Sequence, residues 1–150
     1  MKATDFTLKD TNLKEVTLSS FEGKKNVVLL FFPLAFSSVC TTELSTTRDN
    51  MKLYDSLDAE VLAISVDSTF SLNAFKEANN LNYTLLSDFN KDVSEAYNVL
   101  YENYFGMKGV SKRSVFVLDK SGEIVHKEIL ENSGDMPDLN KIQEVLVELN

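Results

Sequence analysis

The chain has 150 residues, 43% of them hydrophobic, and a formal net charge of −8; this is enough for one core and too short for two, so residues 1–150 are expected to form a single domain. The acidic surplus argues against nucleic acid or an anionic membrane as partner, since either repels such a surface. One cysteine and one histidine exclude an internal disulfide framework and a Cys/His zinc site, so no metal or other cofactor is expected; with no secretory leader and no apolar stretch near about 18 residues, a reducing cytoplasm is the expected compartment.

In chain order, Phe6 and Leu8, a polar turn at residues 9–12, and Val16 and Leu18 predict an N-terminal β-hairpin, and residues 19–23 a single helical turn stopped by Gly23. Residues 27–32, VVLLFF, are a continuous β-branched and aromatic run, the pattern of a strand covered on both faces. Pro33 ends it. Ser37 and Ser38 are suitable N-caps for a helix whose apolar face is Leu44, Thr47, Met51 and Tyr54, and Cys40, four residues before Leu44, shares that face. A second apolar run at residues 61–66 is closed by Asp67 and Ser68, which cap a helix carrying Phe70, Ala74, Phe75 and Ala78. Residues 81–86 read as a short extended piece and Val93, Ala96 and Tyr97 mark another helix. The aromatic segment 101–106, YENYFG, has neither period and reads as a loop, either simply packed or forming a rim of the site or a subunit contact. Residues 114–118 and 123–129 flank the turn Asp119-Lys120-Ser121-Gly122 and form the clearest hairpin. Residues 137–149 make a terminal amphipathic helix with Leu139, Ile142, Val145, Leu146 and Leu149 on one side. Strands alternating with helices imply parallel βαβ units, hence a three-layer α/β sandwich.

The only cysteine therefore lies in the first turn of a helix. Unpaired backbone N–H groups and the positive end of the aligned peptide dipoles favour the thiolate there, and the thiolate is the nucleophile. Pro33, Ser37 and Cys40 together form the pattern P-x-x-x-T/S-x-x-C. In this the sequence resembles the peroxiredoxins, and FPLAFSSVCTTEL looks most like their one-cysteine, AhpE-like branch. The resemblance runs from DFTL near the start through GVSKRSVFVLDKSGEIV.

That resemblance implies a thioredoxin-like sandwich with an N-terminal β-hairpin, and a thiol-dependent peroxidase that reduces hydrogen peroxide or organic hydroperoxides through a sulfenic acid on Cys40. It implies that Arg113, matched by position, points its guanidinium at the sulfur, that Ser37 Oγ and Arg113 hold the two peroxide oxygens, and that Pro33 shields the thiolate. Independently, a guanidinium stays charged, favours a neighbouring thiolate and donates in a planar fork to a substrate oxygen. Lys112 reads as its solvated neighbour. Glu43, an acid in the first helical turn, is explained by the helix dipole, with support of the pocket as the alternative. Arg48, two turns past Cys40, either braces the site or pairs with a carboxylate, and His126 is read as structural. With no second cysteine the sulfenic acid needs an external thiol, small or carried by a thioredoxin- or glutaredoxin-like protein; by analogy the chain is a homodimer. Two other readings of the same fold are a redox sensor or binding module and a monothiol disulfide reductase. C-x-x-C and a proline before Ser114 are both missing, which counts against the reductase.

Overall fold

A computed structural model describes all of residues 1–150. The N-terminal hairpin is β1 (Thr7–Asp10) and β2 (Glu15–Thr17), followed by a 3-10 turn at Leu18–Phe21 that Gly23, at φ 77°, terminates. The apolar run becomes β3 (Asn26–Phe31), and the cysteine-bearing helix is α1 (Ser38–Asp49), with α2 (Met51–Ser56) after it. Then come β4 (Ala59–Ser65), α3 (Thr69–Ala78), β5 (Thr84–Ser87) and α4 (Asp92–Ala96). A small ribbon of β6 (Leu100–Tyr101) and β7 (Val110–Ser111) precedes the hairpin β8 (Ser114–Leu118) and β9 (Ile124–Ile129), and α5 (Leu139–Glu148) ends the chain. No helix is long and apolar enough to cross a membrane.

Seven strands form one sheet in the order β2-β1-β5-β4-β3-β8-β9. β3, β4 and β5 run parallel, while β8 is antiparallel to β3 and β1 antiparallel to β5. This is the thioredoxin-like order with the expected N-terminal hairpin at its edge. Its centre explains the unbroken apolar runs. In β3, Val28 and Leu30, continued by Phe32, face the helices α1, α3 and α5, whereas Val27, Leu29 and Phe31 face the opposite core with Phe116, Leu62 and Ile64. A strand buried on both faces favours a continuous apolar run, and in β3 the one buried polar residue, Asn26, stands at its first position.

The layers are unequal. Leu44 of α1, Tyr54 of α2, Phe75 of α3 and Ile142 of α5 all enter one core, while α4, the 3-10 turn and the N-terminal segment cover the other face. Three details depart from the sequence reading. The run from Leu44 to Tyr54 is two helices, broken at Asn50, whose side chain donates to Thr46 O at 2.8 Å and whose φ, −109°, leaves the helical range. In α3 the buried pair is Leu72 and Phe75, and Phe70 is 74% exposed; residues three apart, rather than four, face the sheet. Within the aromatic segment Tyr101 is a strand residue, paired with Val110.

Candidate active site

The loop from β3 to α1 is built to stop at Cys40. Phe32 N–H still donates to Ile64 O at 2.9 Å, and three residues later Ala35 N–H donates to Asp67 Oδ2 at 2.8 Å, an oxygen that also accepts from Ser65 Oγ at 2.7 Å. The loop is thus tied to the end of β4. Phe36 then turns the chain at φ 70°, a conformation that an L-residue with a large side chain adopts at a cost of about 1–2 kcal/mol. Its ring is held edge-on against Phe75 at 5.1 Å. Ser37 is the N-cap residue, extended at ψ 150°, but its hydroxyl does not cap: Oγ donates back to Leu34 O at 3.0 Å. The first helical bond is Thr41 N–H to Ser37 O, which leaves the N–H groups of Val39 and Cys40 without a partner in the chain. Cys40 itself has no solvent exposure.

Sheet register brings the arginine there. Ser114 pairs with Phe31 across the antiparallel β3–β8 ladder, so Arg113, one residue before, lies beside Phe32 and the loop that follows it. Arg113 is 1% exposed and is the largest fully buried side chain in the protein. Nη2 donates to Cys40 Sγ at 3.1 Å, Nη1 to Glu43 Oε2 at 3.3 Å, and Nε to Ser133 O at 3.1 Å. Burial opposes the charge on this guanidinium, but the sulfur and the Glu43 carboxylate raise its pKa above the ordinary arginine value. It remains a cation.

Glu43 is not a solvated acid at a helix terminus. Three residues after Cys40, it points the same way as the thiol, has no exposure, and leaves Oε1 without a hydrogen-bond partner. Burial pushes its carboxyl up to about 7; the charge and hydrogen bond of Arg113 pull against that, and Glu128 reinforces it. The pocket alternative, rather than the dipole, therefore accounts for its position. Removing one partner of such a buried pair costs about 3–5 kcal/mol, because the other charge is left uncompensated.

The other candidates separate cleanly. Pro33 is buried where the loop begins, and Ser37 is half-buried with its hydroxyl turned to Leu34 rather than toward the sulfur. Arg48 leaves the site: it pairs with Asp49 at 2.9 Å and donates to Asn79 O, at the end of α3, at 2.6 Å. Lys112 contacts both oxygens of Glu131 at 2.9 Å. His126 lies in β9 opposite Val117. One contributor to the site was not singled out in the sequence, the Ser133 carbonyl; another, the Tyr101 hydroxyl, which accepts the Arg113 N–H at 3.4 Å, belongs to the aromatic segment read as a packed loop, a rim of the site or a subunit contact. A backbone acceptor leaves no mark in sequence, but Glu43 could have been read from its i+3 spacing to Cys40. A surface cleft of about 540 Å³ is lined by residues including Phe6, Asp88 and Tyr97 and contains none of this group.

A buried thiol at the open amide end of a helix, facing a guanidinium on a thioredoxin-like sheet, defines a thiol-oxidoreductase site. The chain belongs to the AhpC/TSA family, the peroxiredoxins, whose sequence profile matches residues 1–127. It is 41% identical over 124 residues to alkyl hydroperoxide reductase E of Mycobacterium tuberculosis, covering 81% of this chain and 78% of that protein. It is 38% identical over 138 residues to the chloroplastic 2-Cys peroxiredoxin BAS1 of Spinacia oleracea, covering 85% of this chain but spanning only about half, 51%, of the spinach protein. Among solved structures, peroxidoxin BcpB of Mycobacterium tuberculosis superposes with a TM-score of 0.89 at 28% identity, covering 100% of this chain and 96% of that one. The name of the spinach relative specifies two cysteines; this chain has one.

Proposed function

We propose that the protein is a one-cysteine, thiol-dependent peroxidase that reduces hydroperoxides at Cys40. The observation that carries this reading is the 3.1 Å contact of Arg113 Nη2 with Cys40 Sγ in a buried site. The Cys40 thiolate attacks the nearer oxygen of R–O–O–H and the O–O bond breaks. The sulfur is oxidised to a sulfenic acid, the peroxide is reduced, and its second oxygen leaves with one proton taken from solvent, equal to that lost when the thiol ionised, as alcohol, or as water when R is hydrogen. A thiolate alone does not make this fast. The transition state carries charge on both oxygens, and donors already aimed at that place lower its energy without reorganising. Arg113 and the free N–H groups of Val39 and Cys40 supply them, with Ser37 Oγ joining after it rotates from Leu34 O. Buried Pro33 and the loop that follows it keep bulk water from the sulfur.

One external thiol then attacks the sulfenic acid, releasing water and forming a mixed disulfide; a second thiol releases Cys40 as thiolate and leaves as disulfide. Such thiols, small or on a thioredoxin- or glutaredoxin-like protein, are plentiful in a cytoplasm, the compartment we assign. A homodimer is supported by Phe36 and Phe105, 59% and 85% exposed on segments beside the site, since aromatic residues concentrate in interfaces. The deciding experiment follows peroxide loss with excess dithiothreitol. Many turnovers per chain and complete loss in Cys40→Ser are expected, with a dimedone adduct on Cys40. A single equivalent consumed would favour a redox sensor, and activity retained in the serine variant would end the proposal.

A further inference from the structure

Of the three acceptors around the Arg113 guanidinium, one is on a segment with no regular structure. Ser133, whose carbonyl accepts from Nε at 3.1 Å, belongs to the connection 130–138 between β9 and α5. Most of this strap is exposed. It has no sheet or helix to hold it in place, so its position depends on individual fastenings, and these gather around Arg113. Leu130 N–H donates to Arg113 O at 2.9 Å. Tyr101 Oη donates to Leu130 O at 2.7 Å and receives the Arg113 N–H at 3.4 Å, so one hydroxyl links the strap to the arginine backbone. Glu131, the next strap residue, is held by Lys112. At the far end Glu128 Oε1 accepts Asp138 N–H at 2.8 Å.

We propose that Tyr101 is a positioning residue for Arg113: its hydroxyl pins the start of the strap, the strap presents the Ser133 carbonyl to Nε, and the guanidinium plane is thereby fixed with Nη2 on the cysteine sulfur. The guanidinium is rigid and planar. Anchoring Nε on Ser133 and Nη1 on Glu43 leaves the third nitrogen one direction in which to point. The phenol is itself fixed. Its ring stacks on Tyr104 with centroids 5.9 Å apart, Leu34 of the Cys40 loop packs against the same small cluster, and the β6–β7 pairing holds its backbone. Burial raises the Tyr101 pKa, so the hydroxyl keeps the proton it donates to Leu130. Lys112–Glu131 is the weaker fastening, because Glu131 is 76% exposed and solvent screens the pair.

This inference rests on the peroxidase reading of the site. Its test is Tyr101→Phe in the full chain, which deletes one hydroxyl and keeps the ring. Two rate constants of Cys40 are compared at one pH, oxidation by hydrogen peroxide and alkylation by iodoacetamide. Alkylation reports thiolate and access, but it does not require a guanidinium aligned on a departing oxygen. The peroxide rate is expected to fall about 3–10-fold, the worth of one lost hydrogen bond, while alkylation changes less than about twofold. Glu131→Gln, which loosens the second fastening, should lower the same ratio by about twofold or less, a smaller fall than in Tyr101→Phe. An unchanged ratio in a folded Tyr101→Phe protein overturns the inference, as does an equal fall in both rates. A wild-type protein that alkylates but ignores peroxide instead removes the peroxidase reading, and the role of Tyr101 with it.

Discussion

The two faces of the sheet are equally dry and built to opposite rules. Behind the sheet, Phe31, Phe116 and Tyr97 meet largely edge-to-face, with centroids 5.2–5.8 Å apart, beside aliphatic side chains. On the helical face the apolar core ends in Cys40, and against it lie a buried cation and a buried acid, one oxygen of which has no partner. The aromatic face gains free energy from every contact. The other gives some of that up so that three polar groups can be held without water, which is where a fixed charge acts most strongly on a reacting oxygen.

Substitutions on each face should separate stability from chemistry. The largest effect is expected from Phe116→Ala, 3% exposed in the wild type, at about 3–5 kcal/mol of unfolding free energy. Chemical denaturation measures it, and the peroxide rate per folded molecule should stay as it was; a parallel fall in that rate would dissolve the contrast between the faces. Arg113→Ala should do the reverse in kind, slowing peroxide oxidation of Cys40 by about 10²–10³-fold in stopped-flow or competition measurements. Its orphaned acid is relieved by pairing it with Glu43→Gln, which tests whether the rate loss survives when stability is restored.

Glu43 sharpens the contrast through pH. Its folded pKa, about 7, lies above the 4.5 of an exposed glutamate, so between those values the folded protein holds a proton that the unfolded chain has released. The stability this group contributes is full below about pH 4.5 and declines as pH rises to about 7, by about 3 kcal/mol in all. Glu43→Gln should flatten that slope when unfolding is compared at pH 5 and pH 8; an unchanged slope would mean that another group titrates. The smallest effect is expected from Ser37→Ala. One hydroxyl that must first leave Leu34 O is worth about 0.5–1.5 kcal/mol, or about 2–10-fold in the peroxide rate.

Much of this was legible in the sequence, and unevenly so. Doubly buried β3 and β4 were plain because a strand covered on both sides favours an unbroken apolar run, with the polar residues Asn26, Glu60 and Ser65 kept near the strand ends. Cys40 was found from its place in the first turn of a helix and its spacing from Pro33, and Arg113 through the family resemblance of the segment before β8, though no local rule says that residues 73 positions apart touch; only the pairing of β8 with β3 does. The break at Asn50 was missed because an apolar repeat continues across it into α2. Glu43 was read as a first-turn acid because charge usually means solvent, and its i+3 relation to Cys40 was the competing signal that prevailed. Tyr101 carried no periodic signal at all, since a two-residue strand shows none.

Cys40 has no surface of its own, and the two halves of a catalytic cycle ask different things of it. Oxidation, in the proposed reaction, has to admit only the O–O end of a hydroperoxide beside the loop at residues 33–36. Regeneration by an external thiol has to bring in a second sulfur together with its carbon chain, for which a cysteine with no exposure leaves no room. An excluded osmolyte such as sucrose, which favours compact states, should therefore retard recovery of the thiol while sparing its oxidation. The tight fit that hides the nucleophile thus predicts a recovery that depends on opening of the fold.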